Sequence, residues 1–368
     1  MRVLNLRLYQ HRNFSLQEIE FGPGTNLLFG RNGQGKTNLL EAIYLLSFGR
    51  SFRTATPRDC IQHGRRECRL DGQIEHGSMN RELGISISLT GEKQLLLHRK
   101  PVGLAEFIGN LHTLAFTQEH LKVVRGGPVE RRAFLDRAMI TAYPGHMQRL
   151  AAYSRALKQR NGLLGAALAS SGKTDPELLD SWDENLAREG SRILWNRRRY
   201  IQEMKRELIN PLCSSEALEI RYASNAVTAD SDGADIEGEF RQRLREARNG
   251  DERKGYTTIG PHRDDLKLLL NGRTLADFGS AGQQRGCLLA LYFAQMEIHR
   301  GTCGFYPVFL MDDAEAELDA QRLHAFLGHL CQRTQTFLTT AKEQFLTSLG
   351  ADARRFCVHE GHVDPTDP

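Results

Sequence analysis

Residues Gly30-Arg31-Asn32-Gly33-Gln34-Gly35-Lys36-Thr37 match the spacing G-x-x-x-x-G-K-[ST] in full. That spacing suits phosphate chemistry. Glycines permit a tight loop whose backbone N–H groups wrap a β-phosphate, and a helix N-terminus behind the loop adds favourable partial charge. Lys36 has the reach and charge for β- and γ-phosphates, and the Thr37 hydroxyl suits Mg²⁺. The apolar run TNLLF precedes the loop and the helix-forming run NLLEAIYLLS follows it. An accidental glycine turn is the competing reading; the flanking strand and helix weigh against it, and the pattern predicts nucleotide binding.

A hydrolytic phosphate loop needs a second element, an apolar strand ending in acid. Pro307-Val-Phe-Leu-Met-Asp312-Asp313 has that form. Asp312 is expected in a magnesium shell and Asp313 beside the attacking water. Adjacent residues of a regular strand face opposite sides, which would separate the two jobs. A helix N-cap would explain one Asp, and two less well. Upstream, Ser280-Ala281-Gly282-Gln283-Gln284 opens a helix, a second candidate anion site. Two phosphate-reading helix ends in one chain suggest a nucleotide read by two subunits. A serine cap on a core helix is the alternative.

The positioning elements follow from periodicity. Alternation predicts strands at Val3–Tyr9, Leu16–Phe21, Thr25–Phe29, Leu83–Leu89, Gln94–His98 and Thr113–Phe116. Helical periodicity then takes over at Val129–Ile140, His146–Ala169 and Pro176–Ile209, with a turn expected within Gly162–Lys173. Strand signals return at Ile259–Leu270 with a hairpin at Asn271-Gly272. A helix at Gln283–Arg300, a strand at Val308–Met311, a helix at Ala320–Arg333, a strand at Thr336–Thr340 and a last helix complete the chain, and HVDPTDP is expected to fray. The expected architecture is an α/β domain built from both ends of the chain, with a mainly helical lobe inserted.

Composition narrows the class. The 368 residues are 40% apolar and 26% charged, a balance that can bury a core. No apolar run has the length of a membrane span, and the N-terminus lacks the apolar region of a signal peptide. The seven cysteines include no C-x-x-C pair, so spacing supports neither a disulfide framework nor a zinc motif, and a reducing cytoplasm is expected. Net charge is +4, yet residues 121–215 carry 17 Lys and Arg against 10 Asp and Glu, a net of +7 that leaves −3 for the remainder. A basic middle hints at nucleic acid; solvated helix faces explain it equally well.

S-x-G-Q, then apolar-D-D, then Glu317-Leu318-Asp319 resembles the signature, Walker B and D-loop of ABC-type ATPases. Within that class the chain resembles the RecF family, SMC-like proteins of bacterial DNA replication and repair. The stretches that carry the resemblance are NLRLYQHRNF, GRNGQGKTNLLEAIYLLSFGRSFRT, RRAFLD, IGPHRDDL, SAGQQR and DDAEAELD, spread over most of the chain. The resemblance implies an ABC-type head of 1–117 and 253–368 with a helical lobe at 118–252. It implies that Gly30 to Thr37 bind ATP, and that Gln118 is the Q-loop residue serving metal and γ-phosphate. In AFTQEHL it departs from the usual F-x-P-E-D-L. Ser280, Gly282 and Gln283 would meet the partner subunit's nucleotide and Asp319 the dimer seam. Asp313, where most ABC proteins have Glu, would activate water. Thr339 and Thr340 stand where transporters place a histidine, consistent with slow hydrolysis.

The resemblance also implies an ATP-dependent homodimer on single- and double-stranded DNA at gaps or junctions, acting in recombinational repair with RecO- and RecR-like partners and a RecA-type filament. Arg131, Arg132, Arg192, Arg197, Arg198 and Arg199 are candidate phosphate contacts, although three consecutive arginines cannot share one helix face. No base-reading motif occurs, so backbone and shape recognition is expected. His262 to Asp265 is read as structural support of the domain seam, not a metal site. Two rivals are an ATPase subunit of another complex, transporters included, and a DNA scaffold that uses ATP only as a structural ligand.

Overall fold

A computed structural model describes residues 1–143, 145–170, 172, 174–208, 218–228, 235–314, 328, 330, 333–342 and 353–366. Contacts divide the chain into two units: Met1–Leu121 with His299–Pro368, and Lys122–Ile298.

The first unit opens with β1 (Arg2–His11), β2 (Phe14–Glu20), β3 (Thr25–Phe29) and α1 (Lys36–Phe48). Then come β4 (Glu67–His76), β5 (Met79–Ser88), β6 (Lys93–Leu97), β7 (Lys100–Val102), α2 (Leu104–Phe107) and β8 (Thr113–Phe116). The chain enters the second unit through α3 (Lys122–Arg125), α4 (Pro128–Ala142), α5 (His146–Ala169), α6 (Pro176–Glu207), β9 (Leu218–Ala223) and α7 (Ile236–Lys254). That unit continues with β10 (Asp265–Leu270), β11 (Arg273–Thr274), α8 (Leu275–Phe278) and α9 (Ala281–Cys303), whose last turn belongs to the first unit. β12 (Val308–Met311), β13 (Thr336–Thr340), β14 (Arg354–His359) and β15 (His362–Thr366) return to the first unit.

Among the described residues, two six-stranded sheets build the first unit. One is antiparallel, in the order β2-β1-β4-β5-β6-β7; the other runs β15-β14-β3-β13-β12-β8. In the second sheet β14, β3, β13, β12 and β8 are mutually parallel, and only β15 is antiparallel. The difference is written in the residues. Strands β8, β12 and β13 are buried at every position, as expected of a parallel sheet covered on both faces. In β4 the buried residues Cys68, Leu70, Gly72 and Ile74 alternate with more exposed ones. Helix α1 contacts strands of both sheets and is buried nearly all round. Gly72 makes room for it: a Cβ there would stand 2.7 Å from Leu46 Cδ1. Buried Gln335 bonds both backbone groups of Val3 and the Gly22 carbonyl, tying the start of β13 to the first strand.

The second unit packs α5, α6 and α7 around Tyr153, Leu186, Ile193, Leu194, Phe240 and Leu244. Its three-stranded sheet runs β11-β10-β9. Asn271 and Gly272 both have positive φ, 51° and 77°, which is the expected tight hairpin. Fully buried Arg160 pairs with Asp183 at 2.7 Å and Asp251 at 2.6 Å.

Several expectations change. Residues 253–298 lie in the second unit, because β10 pairs with β9 and Arg131 binds Asp265. Helix α5 keeps its predicted limits through Gly162 and Gly165 to Ala169, each glycine in a long helix costing only about 1 kcal/mol, so the turn expected within Gly162–Lys173 begins no earlier than Ser170. Strands β4 and β9 lie where no strand was predicted. Residues His362–Thr366 do not fray but pair with β14. The expected helix Ala320–Arg333 falls mostly outside the described residues, as does the last helix.

Candidate functional site

The carboxyl ends of neighbouring parallel strands gather the first-unit candidates. Gly30 follows β3, Thr340 ends β13, Asp312 follows β12, and Gln118 stands two residues beyond β8. This edge is where open α/β sheets bind ligands.

The loop after β3 has the backbone its glycines allow. Gly30, Gly33 and Gly35 have φ of 149°, 82° and 118°, and Gly35 caps α1 in the left-handed region. A Cβ on Gly30 would lie 2.2 Å from the Val358 carbonyl oxygen, and one on Gly35 2.6 Å from Asn13 Nδ2. Lys36 is buried, and its Nζ donates to the carbonyls of Gly30 at 2.7 Å and Arg31 at 2.9 Å. Arg31, Asn32 and Gly33 are exposed at the loop's crest.

The acid sits beside it. Thr37 Oγ1 donates to both Asp312 oxygens at 2.9 Å across 275 residues of sequence. Thr339 Oγ1 donates to Asp312 Oδ1 at 2.7 Å and accepts from the Asp313 backbone N–H at 2.8 Å. The Asp312 N–H in turn bonds the Phe116 carbonyl at the end of β8, 2.9 Å away. Strand β12 stops at Met311, so both acids lie in a bend, and Asp313 has φ 55°. Their separation therefore follows from a left-handed turn, not from strand alternation. The hydroxyl of Thr37 and the carboxylate of Asp312 are hard oxygen donors, a set that fits Mg²⁺. The loop N–H groups with Lys36 fit a polyphosphate.

The other candidates divide. Gln118 is exposed at the start of a short 3₁₀ turn, which His120 closes by accepting from the Thr117 N–H at 3.1 Å. Thr340 is buried, its oxygen taking the Lys342 N–H at 3.1 Å, so of the two threonines Thr339 is the one bonded to Asp312. Ser280, Gly282 and Gln283 lie in the second unit at the start of α9. Ser280 and Gln283 form a reciprocal cap: the Ser280 N–H donates to Gln283 Oε1 at 2.6 Å and Ser280 Oγ accepts the Gln283 N–H at 3.2 Å. Asp319 lies outside the described residues.

Sequence reasoning missed a polar scaffold around the loop. Asn13 donates to the Gln34 carbonyl at 2.7 Å and accepts from Asn38 at 2.7 Å, and Gln34 takes the Glu360 N–H at 2.6 Å. Behind it, Glu41 is fully buried and bidentate to Arg12 at 2.8 and 2.6 Å, with Ser51 also donating. Burial pushes the Glu41 carboxyl up, but Arg12 and Ser51 bring it below its usual range. Burial pushes the neighbouring His11 down to about 4, so it is neutral. One acid in the otherwise apolar helix NLLEAIYLLS was the available signal.

In the second unit most of the candidate arginines are bound internally. Buried Arg197 grips Asp136 at 3.0 and 2.8 Å and the Pro261 carbonyl at 2.7 Å. Arg131 chelates Asp265 at 2.6 and 3.0 Å, and Arg132 donates to the Asp264 carbonyl at 2.6 Å. Arg198 donates to the Thr228 carbonyl. Exposed are Arg192, facing Glu189 at 4.0 Å, and Arg199, paired with Glu203 at 2.9 Å. The segment His262–Asp265 is an anchor inside this unit, with His262 bonded to the Tyr153 hydroxyl at 2.7 Å and Asp264 to that of Tyr222.

A phosphate loop and an acidic bend on one parallel sheet, with a helical unit inserted, define the head of an ABC-type ATPase. A family model described as "RecF/RecN/SMC N terminal domain" matches residues 2–362. A curated relative, "DNA replication and repair protein RecF" of Alkaliphilus oremlandii, is 35% identical over 99% of this chain and 100% of its own length. The chain belongs to the RecF family. A solved structure, "Structure of the recombination mediator protein RecF-ATP in RecFOR pathway", superposes with TM-score 0.91 at 31% identity, covering 99% of this chain and 97% of that one. An Smc head domain from Pyrococcus furiosus shares the fold at TM-score 0.58 and 14% identity, over 99% of this chain and 95% of that one.

Proposed function

We propose that this protein is an ATP-dependent DNA-binding protein of replication and recombinational repair, with slow ATP hydrolysis. The observation that carries the reading is the Thr37–Asp312–Thr339 cluster beside Lys36. It joins the phosphate loop to the acidic bend in the way that ATP and one magnesium ion require. Relatives named for DNA replication and repair, and a similar structure named for bound ATP, support it.

Magnesium, when bound, neutralises phosphate charge. Thr37 and Asp312 are the residues that hold it, joined by Gln118 at the neighbouring strand end. Lys36 and the N–H groups of Gly30 to Thr37 bind the phosphates. Asp313 orients the attacking water and takes its proton. Ser280, Gly282 and Gln283 close on the nucleotide held by a second copy of the chain, with Asp319 at that seam. The closed homodimer binds single- or double-stranded DNA at gaps or junctions without reading bases, and hydrolysis reopens it. RecO- and RecR-like proteins are its partners, in a cytoplasmic setting; among the described residues no helix is long and apolar enough to cross a membrane.

The test is sedimentation of the pure protein with ATP and magnesium, with and without gapped duplex. A shift to dimer that gapped DNA strengthens supports the reading. A monomer under all conditions sinks it.

A further inference from the structure

Three side chains from two segments distant in sequence converge in the first unit, away from the phosphate loop's own residues. His112 immediately precedes β8, while His299 and Cys303 lie one turn apart at the end of α9. His112 Nδ1 is 2.6 Å from His299 Nε2 across 187 residues. One ligand atom from each of His112, His299 and Cys303 lies within 4.8 Å of the others. Both imidazoles are buried and Cys303 is half-buried.

The outer ring nitrogens decide what the facing pair can be. His112 Nε2 is 3.0 Å from the Gly109 carbonyl oxygen, and His299 Nδ1 is 2.9 Å from that of Phe305. A carbonyl only accepts, so each outer nitrogen carries its proton. A neutral imidazole has one N–H, and burial favours the neutral form. The two inner nitrogens therefore confront each other with lone pairs, which repel unless a cation stands between them. An outer N–H given to a backbone carbonyl, with the inner nitrogen aimed at a shared point, is also how ligating histidines are usually held. Phe305 packs against both rings, with centroids at 5.3 and 5.1 Å, and screens them from water.

We propose that His112, His299 and Cys303 form a zinc site. Two imidazole nitrogens and a thiolate are a borderline-soft donor set of the kind Zn²⁺ prefers, and the fourth tetrahedral position is left to water on the exposed side of Cys303. Binding forms two Zn–N bonds and one Zn–S bond; the Cys303 thiol proton leaves to solvent and no electron is transferred. The inner nitrogens move to about 3.3 Å apart, as Zn–N bonds of about 2.0–2.1 Å at a tetrahedral angle require. The ion then ties the end of α9 to the start of β8, the strand that leads to Gln118.

The experiment uses untagged, metal-stripped full-length protein, titrated with ZnCl₂ against a chromophoric chelator and, separately, with Co²⁺. One zinc per chain is expected, with a thiolate-to-cobalt charge-transfer band and tetrahedral d–d bands. Cys303→Ser should abolish the thiolate band. His112→Asn should weaken zinc binding more than about 100-fold, beyond the 10–100-fold cost of altering an outer-shell partner. Zinc should raise the thermal midpoint of the wild type and of neither variant. The near-isosteric Cys303→Ser should unfold at the wild-type midpoint without zinc, showing that its fold is intact. Folded wild type that takes up no metal overturns the proposal, as does a cobalt spectrum that Cys303→Ser leaves unchanged. A proton shared between His112 and His299, detected by ¹⁵N NMR without metal uptake, also overturns it.

Discussion

Asp312 is held by two threonine hydroxyls, one from the phosphate loop and one from the end of β13. The Thr339 hydroxyl also accepts the Asp313 N–H, so it sets the turn that aims the second acid. Thr339→Val removes both bonds and leaves a backbone donor unmatched, at a cost of about 1–3 kcal/mol. The expected result is an ATP turnover that falls further than ATP affinity does, measured by steady-state hydrolysis beside equilibrium nucleotide binding. An equal fall in both would assign Thr339 to packing. Protonation acts at this scale too. Burial lowers His11 and His262 from 6.5 to about 4 in the fold. His11 faces Glu41 and Arg12, and His262 is near Arg263, Arg132 and Asp251. In the unfolded chain both bind protons at higher pH than in the native state, so stability rises with pH between about 4 and 6.5, by at most about 3 kcal/mol per histidine. Urea midpoints should fall steadily as pH drops through that window. Flat midpoints would show the two rings already charged in the fold.

Helix α6 illustrates how an element sorts similar residues into different jobs. Of its consecutive arginines, Arg197 points inward to Asp136, while Arg199 stays in solvent with Glu203. Arg197→Ala removes the partner of half-buried Asp136 and of the fully buried Asp264 carboxylate 3.5 Å away, and should cost about 3–5 kcal/mol, read from chemical unfolding. Arg192→Ala and Arg199→Ala should leave stability within about 0.5 kcal/mol of wild type. If α6 meets DNA, each should lower affinity and reduce the salt-dependence slope by about one. Unchanged slopes in both would move the DNA contact to another element. The loop after β3 depends on a neighbour as well: β14 pairs in parallel with β3 and brings the Val358 carbonyl against Gly30. Tolerance of a side chain at position 30 is therefore limited by that strand as much as by phosphate.

At the scale of the whole molecule, the candidate nucleotide residues fall in both units: Lys36, Thr37 and Asp312 in one, and Ser280, Gly282 and Gln283 in the other. A sandwich of two chains predicts that Lys36→Met and Ser280→Arg each abolish ATP-driven dimerisation in sedimentation. Asp313→Asn should still dimerise while losing turnover and the release of DNA that follows it. Dimerisation of both Lys36→Met and Ser280→Arg would reject the sandwich. Full DNA-repair function of Asp313→Asn would favour a scaffold that needs ATP but no hydrolysis.

Periodicity and motif spacing made much of this legible in advance. Helix α5 and strand β8 have the predicted limits, and the phosphate loop sits between the predicted strand and helix. Such features are local, decided by residue type within a few positions. Strand β4 escaped notice because charged residues fill its exposed face, and β9 because its register depends on β10 from a distant segment. By itself the sequence determined a glycine-rich loop between a strand and a helix, an acid-tipped apolar strand and a helical insertion. Only the tertiary structure decided that Thr37 and Thr339 share Asp312, that Arg197 is buried, and that His112 meets His299. Those contacts join residues far apart along the chain, and no local pattern encodes which side chains a folded sheet and helix will bring within hydrogen-bonding distance.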